Sequence, residues 1–214
     1  MKMLSKNFKG IYLVSLHSGK YFIIGENKML ISKNKVIQNA SKILEEDLKI
    51  KLPEDYSKFL DKYNGGRTYK SKVKVGRKWD DVCGFNGVGE VNENYSFESM
   101  KSMGVLDDYI ERGFLPLSHN MLGDYYCLSL KTDDYGSIYL LYHDLLGKKK
   151  KLFSSFTEFI NNIKSEEIGH IKTMEEREKM AIENGFGDEV EMLRPIWKEE
   201  IEYFSKIVQE EVIL

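Results

Sequence analysis

Residues 52–67, Leu-Pro-Glu-Asp-Tyr-Ser-Lys-Phe-Leu-Asp-Lys-Tyr-Asn-Gly-Gly-Arg, spell out a helix together with both of its ends. Pro53 suits the first helical position, because the N–H it lacks would have no partner there anyway. Glu54 and Asp55 follow in the first turn, where the positive end of the helix dipole favours carboxylates. Tyr56, Phe59, Leu60 and Tyr63 fall at i, i+3, i+4 and i+7, which is one apolar face. Asn64 and Gly65 stop the helix, with Gly65 expected at positive φ. A helix with so marked an apolar face is expected to be a core element rather than a binding site.

Around it the chain alternates short strands and helices. Residues 10–16, 20–25 and 29–32 are β-branched and aromatic runs separated by Ser18-Gly19 and Glu26-Asn27, which reads as a small meander. Residues 34–49 form a helix with a stripe of Val36, Ile37, Ala40, Ile43, Leu44 and Leu48. Residues 67–75 and 79–85 read as a hairpin turning at Gly76-Arg77-Lys78. Ser96 caps a helix to about Tyr109, with Met100, Met103, Leu106 and Ile110 inward. Residues 115–118, 124–130 and 137–143 are three further strands, and Ser155 with Glu158 makes a capping box for a last helix. Lys148–Lys151 reads as a solvated basic loop.

After Ser165 only helical patterns remain. Thr173 with Glu176 is a second capping box, and Gly185 ends that helix. Pro195 is expected to break the following helix, so that a new one presents Ile196, Trp197, Ile201, Phe204 and Val208 on one side. The divisions implied are 1–35, a β extension, 36–164, the main domain, and 165–214, a helical extension. The fold class is α+β, with an antiparallel or mixed sheet of about five or six strands flanked by helices.

Charge is distributed unevenly along the chain. The net charge is −2, but residues 165–214 carry 6 Lys+Arg against 14 Asp+Glu, and the rest 26 against 20. No global field marks a nucleic-acid binder, and direct nucleic-acid contact is not expected. Cys83 and Cys127 stand far apart and outside any C-x-x-C, so two reduced thiols are expected rather than a disulfide framework. No uncharged apolar run approaches membrane-spanning length, and the chain is expected to be cytoplasmic.

Several segments in order resemble one family. Leu52-Pro53, the aromatic helix and Asn64-Gly65-Gly66 come first. Leu115-Pro116-Leu117 then leads through Gly123-Asp124 into Tyr125-Tyr126-Cys127-Leu128-Ser129-Leu130. Gly136-Ser137-Ile138-Tyr139 follows, and Ser154-Ser155-Phe156-Thr157-Glu158-Phe159-Ile160 closes the series. Together these resemble the SUKH superfamily of Smi/Knr-type cell-wall regulators and bacterial toxin immunity proteins, over about residues 36–163. The resemblance implies a protein-binding module that takes a toxin domain as partner, or else a regulatory scaffold.

No catalytic constellation is evident. His17, His119, His143 and His170 show no metal-ligand spacing, so neither a metal nor a cofactor is expected. Ser118, His119 and Asp124 supply the residue types of a triad but lack a nucleophile elbow. Gly84, Gly87 and Gly89 are not followed by the Lys-Ser/Thr of a phosphate loop. The candidate partner-binding residues are Trp79, Tyr95, Asp124, Tyr125 and Tyr126, which could line a cleft or anchor an interface. Glu199 and Glu202 on the acidic helix join them as a surface that could steer a basic partner.

Overall fold

The computed structural model describes residues 28–145 and 147–214, together with the backbone of two short strands at 12–15 and 21–24. Those two, β1 (Tyr12–Ser15) and β2 (Tyr21–Ile24), pair antiparallel as a two-stranded ribbon. The other residues of the expected meander before Lys28, and His17 with them, lie outside the described residues. Its third member, β3 (Leu30–Lys33), does not stay with the ribbon. Met29, Leu30 and Ile31 are all buried, which a two-stranded ribbon cannot achieve, and β3 instead joins the main sheet.

That sheet is antiparallel and has eight strands, larger than the sequence suggested. Its members are β3, β4 (Gly66–Val75), β5 (Lys78–Phe85), β6 (Phe114–His119), β7 (Tyr125–Ser129), β8 (Ile138–Leu141), β9 (Lys149–Phe153) and β10 (Glu210–Glu211), in the spatial order β10-β3-β4-β5-β6-β7-β8-β9. Lys149–Lys151, expected in a loop, form the outer edge strand. Charged lysines suit that place because they discourage pairing with another chain. At the opposite edge, Glu210 pairs with Ile31 and Glu211 with Leu30.

The helices are α1 (Ala40–Leu48), α2 (Glu54–Tyr63), α3 (Phe97–Ser102), α4 (Val105–Glu111), α5 (Phe156–Asn162), α6 (Met174–Glu183) and α7 (Val190–Ser205). α2 buries Tyr56, Phe59, Leu60 and Tyr63 as its spacing requires. Pro53 serves as its N-cap in extended conformation rather than as its first turn. Asn64 and Gly65 both take positive φ, 51° and 67°. A Cβ at Gly65 would lie 2.4 Å from the Phe85 carbonyl oxygen, so glycine is needed for space as well as conformation. Asn64 does more than end the helix: its buried side chain bonds the Lys35 carbonyl and both backbone groups of Val88.

Other boundaries moved for identifiable reasons. α1 begins only at Ala40 after Asn39 in the left-handed region, which leaves Val36 exposed. The expected helix after Ser96 is two helices, divided at Gly104 (φ 71°), and Met103 beside the break is exposed. Pro195 lies inside a continuous α7. The missing donor there frees only the carbonyl four residues back, on exposed Glu191, where water can satisfy it.

The main core lies between the sheet and the pair α2 and α5. Phe59 and Tyr56 each meet the Phe156 ring at 5.0 Å, edge-on or nearly so, and Phe59 meets Phe85 at 5.2 Å. Asp55 joins the two helices by accepting from Thr157 N and Oγ1 at 2.8 and 3.0 Å. Side chains alternate across the strands. Tyr126 and Leu128 of β7 enter this core, while Cys127 joins a smaller cluster with Tyr109, Phe114 and Leu141, against which Tyr125 packs. The sheet therefore has a second face, only partly covered by α4 and α7.

Candidate functional site

On that second face, one row of rings and cations crosses the sheet. Tyr109 of α4 meets Tyr125 edge-on at 5.2 Å, and Tyr125 stacks on His119 at 6.2 Å. His119 meets Tyr95 at 5.6 Å. The Arg67 guanidinium then lies 5.7 Å from the Tyr95 ring and 5.1 Å from the Tyr203 ring of α7. Backbone alternation places Tyr125 and His119 there, since their neighbours Tyr126 and Ser118 point the other way. Tyr95 reaches its place because Gly84 lies beneath it: a Cβ on Gly84 would come 2.5 Å from the ring.

Burial sets the titration of this row. It pushes the Tyr95, Tyr109 and Tyr125 hydroxyls upward. It also lowers His119, favouring the neutral imidazole. The floor residue Cys83 is raised by burial and by the carboxylates of Asp81 and Asp80. Both cysteines are free thiols.

Beside the row, five polar side chains form a chain across β5 to β8. Tyr126 Oη donates to Asp80 at 2.7 Å, and Asn120 Nδ2 bridges Asp80 and Asp124. Asp124 Oδ1 accepts from His143 N at 3.0 Å and meets His143 Nδ1 at 2.8 Å. Burial acts to raise the Asp124 carboxyl, but the bonds from His143 and Asn120 outweigh it and hold it below its ordinary value. Asp124, His143 and Asp144 bring possible ligand atoms within 4.8 Å of one another. Both Asp124 oxygens are already committed to hydrogen bonds, so the group reads as an oriented His–Asp pair. Asp124 thus pairs with His143 and not with His119, and Ser118 Oγ is buried without a hydrogen-bond partner among the described residues.

The sequence candidates separate accordingly. Tyr95 and Tyr125 are brought together through His119. Asp124 lies next to them as a buried organiser. Tyr126 is fully buried and belongs to the core, because its strand position faces α5. Trp79 is exposed near the hairpin tip, flanked by the ammonium groups of Lys74 and Lys164, each 5.4 Å from the ring. Glu199 and Glu202 lie on the exposed side of α7, Glu202 paired with Lys206 at 2.6 Å. Sequence reasoning missed the partly exposed Arg67, His119 and Tyr203 as members of this row, and the buried Tyr109 that backs it. Gly84 was the one available signal, a glycine inside a strand that marks a close approach.

The extension docks beside the row rather than along its whole predicted stripe. Phe204 packs edge-on against Tyr69 at 5.7 Å, and Val212 is buried in the main core. Ile196 and Val208 stay exposed, since Ile196 turns away from the Trp197–Ile201–Phe204 line and Val208 lies beyond the helix end. Ion pairs Arg194–Glu178 (2.7 Å) and Arg177–Glu200 tie α7 to α6. No helix among the described residues is long and apolar enough to cross a membrane.

No curated protein matches the chain. The SMI1 / KNR4 family (SUKH-1) profile, however, matches residues 38–162, more than half of its length. That span holds α1 through α5 and most of the aromatic row, and by this match the chain belongs to the SMI1 / KNR4 family (SUKH-1).

Proposed function

We propose that this protein is a non-catalytic protein-binding module that captures and neutralises a toxin domain. The observation that supports it is the partly exposed group Tyr125, His119, Arg67 and Tyr203, backed by the buried rings of Tyr95 and Tyr109, on the scaffold of a family that the sequence resemblance links to immunity proteins. Tyrosine and arginine dominate binding hot spots, and rings already packed against one another lose little conformational freedom when a partner arrives. The acidic side of α7, with Glu199 and Glu202, would accelerate encounter with a basic partner in a salt-dependent way. The second reading is a regulatory scaffold of the cell-wall type, which the same family membership supports. Both place the protein inside the cell.

Co-expression with a toxin domain encoded beside the gene separates them. Under the first reading the protein rescues growth and forms a stable complex, and His119→Ala with Tyr125→Ala loses rescue while the fold persists. Rescue that survives the double substitution would remove the row from the function. Absence of rescue, with a cell-wall regulatory protein as partner instead, would favour the scaffold.

A further inference from the structure

A small cavity lies where β4 meets α7, walled by Ser32, Arg67, Tyr69, Tyr203, Phe204 and Ile207, with a volume of about 120 Å³. Arg67 is held in its wall between the rings of Tyr95 and Tyr203. A guanidinium offers five N–H donors in a fixed fork suited to a carboxylate. Among the described residues Arg67 is in no ion pair. Its influence is felt by the Tyr95 hydroxyl, which burial raises and Arg67 draws back down.

The neighbouring acidic segment makes this more telling. Several of its carboxylates are paired elsewhere: Glu200 with Arg177, Glu202 with Lys206, Glu178 and Glu191 with Arg194, Glu210 with Lys33. A half-buried cation left without an anion in so acidic a neighbourhood retains an unmet electrostatic demand. Gln209, also in the wall, is already engaged with the backbone at Glu166 and Ile168. The Ser32 hydroxyl, like those of Tyr69 and Tyr203, has no hydrogen-bond partner among the described residues.

We propose that this cavity is a receptor for a single carboxylate group, gripped by the Arg67 fork and assisted by Ser32. Tyr69, Tyr203, Phe204 and Ile207 would enclose its short apolar stem. The space holds roughly the volume of four waters, which fits a propionate or an acidic side chain and excludes a peptide backbone. Because the walls come from both β4 and α7, occupancy would fasten the C-terminal extension to the sheet. The cavity shares Arg67 and Tyr203 with the row, but it does not require a toxin, and a failure to hold a carboxylate leaves that reading untouched.

The test is a titration of the full-length, ¹⁵N-labelled protein with sodium propionate at constant ionic strength, with propionamide as a neutral control of the same shape. Propionate should shift the Arg67 Nε–Hε signal saturably, and propionamide should not. Arg67→Gln, followed on the backbone amides of the wall residues Tyr69, Phe204 and Ile207, which should shift with propionate as well, should weaken the response about tenfold or more. Since that change also unclamps α7, Ile207→Phe provides a second variant, filling the cavity with the guanidinium in place. It should abolish the response without lowering the melting temperature. Competition by N-acetylglutamate amide, but not by N-acetylglutamine amide, would identify a protein side chain as the source. Propionate acting without such competition would identify a free small acid. A response equal for propionamide, one reproduced by chloride alone, or one undiminished in both variants would overturn the proposal.

Discussion

Asn64 holds Val88 by both of its backbone groups: its Oδ1 accepts from Val88 N and its Nδ2 donates to Val88 O, each at 2.9 Å. The amide side chain therefore stands in for a missing neighbour strand at the point where the β5–α3 loop begins. A second Nδ2 bond to the Lys35 carbonyl draws in the segment before α1. Asn64→Leu would leave these buried groups unpaired, and each unmet group costs about 1–3 kcal/mol. Urea unfolding should show a loss of roughly 3 kcal/mol or more, and a loss below about 1 kcal/mol would mean that water replaces the amide.

Phe59 is fully buried among Tyr56, Tyr63, Phe85 and Phe156. Truncating it opens a cavity that rigid neighbouring rings cannot fill. Phe59→Ala should cost about 3–5 kcal/mol, read as a lower urea midpoint with an unchanged slope.

His119 gives the surface row a pH signature. Its pKa is lowered from 6.5 by burial, so between the folded and unfolded values the unfolded chain binds more protons. Stability should rise with pH through this window, be complete above the unfolded pKa, and be lost as pH falls toward the folded one. His119→Gln should flatten that part of the profile when unfolding is followed from acid to neutral pH. An equally steep profile in the variant would assign the dependence to another group.

Asp124 acts at lower pH. Its carboxyl is lowered in the folded state, so its contribution is present above the unfolded carboxylate range and disappears as pH falls through the folded value. Asp124→Asn should remove this acid-limb loss and should also free the His143 ring, visible as altered imidazole exchange in NMR spectra. A His143 signal identical to that of the unsubstituted protein would contradict the pairing.

Gly84→Ala tests the row without replacing any of its side chains. The added methyl would collide with the Tyr95 ring and come 2.8 Å from the Gly66 carbonyl oxygen. Overpacking of this kind costs about 1–3 kcal/mol. The His119 and Tyr125 ring resonances should move together while those of Phe59 and Phe156 stay in place.

The parts legible from sequence were those with strong local signals. The apolar face of α2, the glycine turn at Gly76, the caps at Ser96, Ser155 and Thr173, and the alternation of β6 to β8 all arise within a few residues. What was not legible depends on partners remote in sequence. Lys149–Lys151 carry no β signature of their own, yet β8 supplies the pairing that makes them a strand. Glu210 and Glu211 are poor strand formers that become one only beside β3. The site behaved likewise. Tyr125 and Tyr126 look equivalent as letters, and the strand's twofold alternation sends one to the surface row and the other to the core. Arg67 acquires its role from Tyr203, a residue on the last helix.

The pairing of β10 with β3 has a consequence for how the protein is made. Leu30 and Ile31 emerge early from the ribosome, whereas Glu210 and Glu211 cannot reach them until nearly the whole described chain has been translated. Throughout elongation that margin of the sheet stays open, its N–H and C=O groups available to any passing strand. Closure is then a single late event that also draws in Val212, whose N–H bonds to Met29 O. Contacts between such distant segments form slowly. Synthesis rate and chaperone access during that interval should therefore govern the yield of folded protein more strongly than the intrinsic strength of its core.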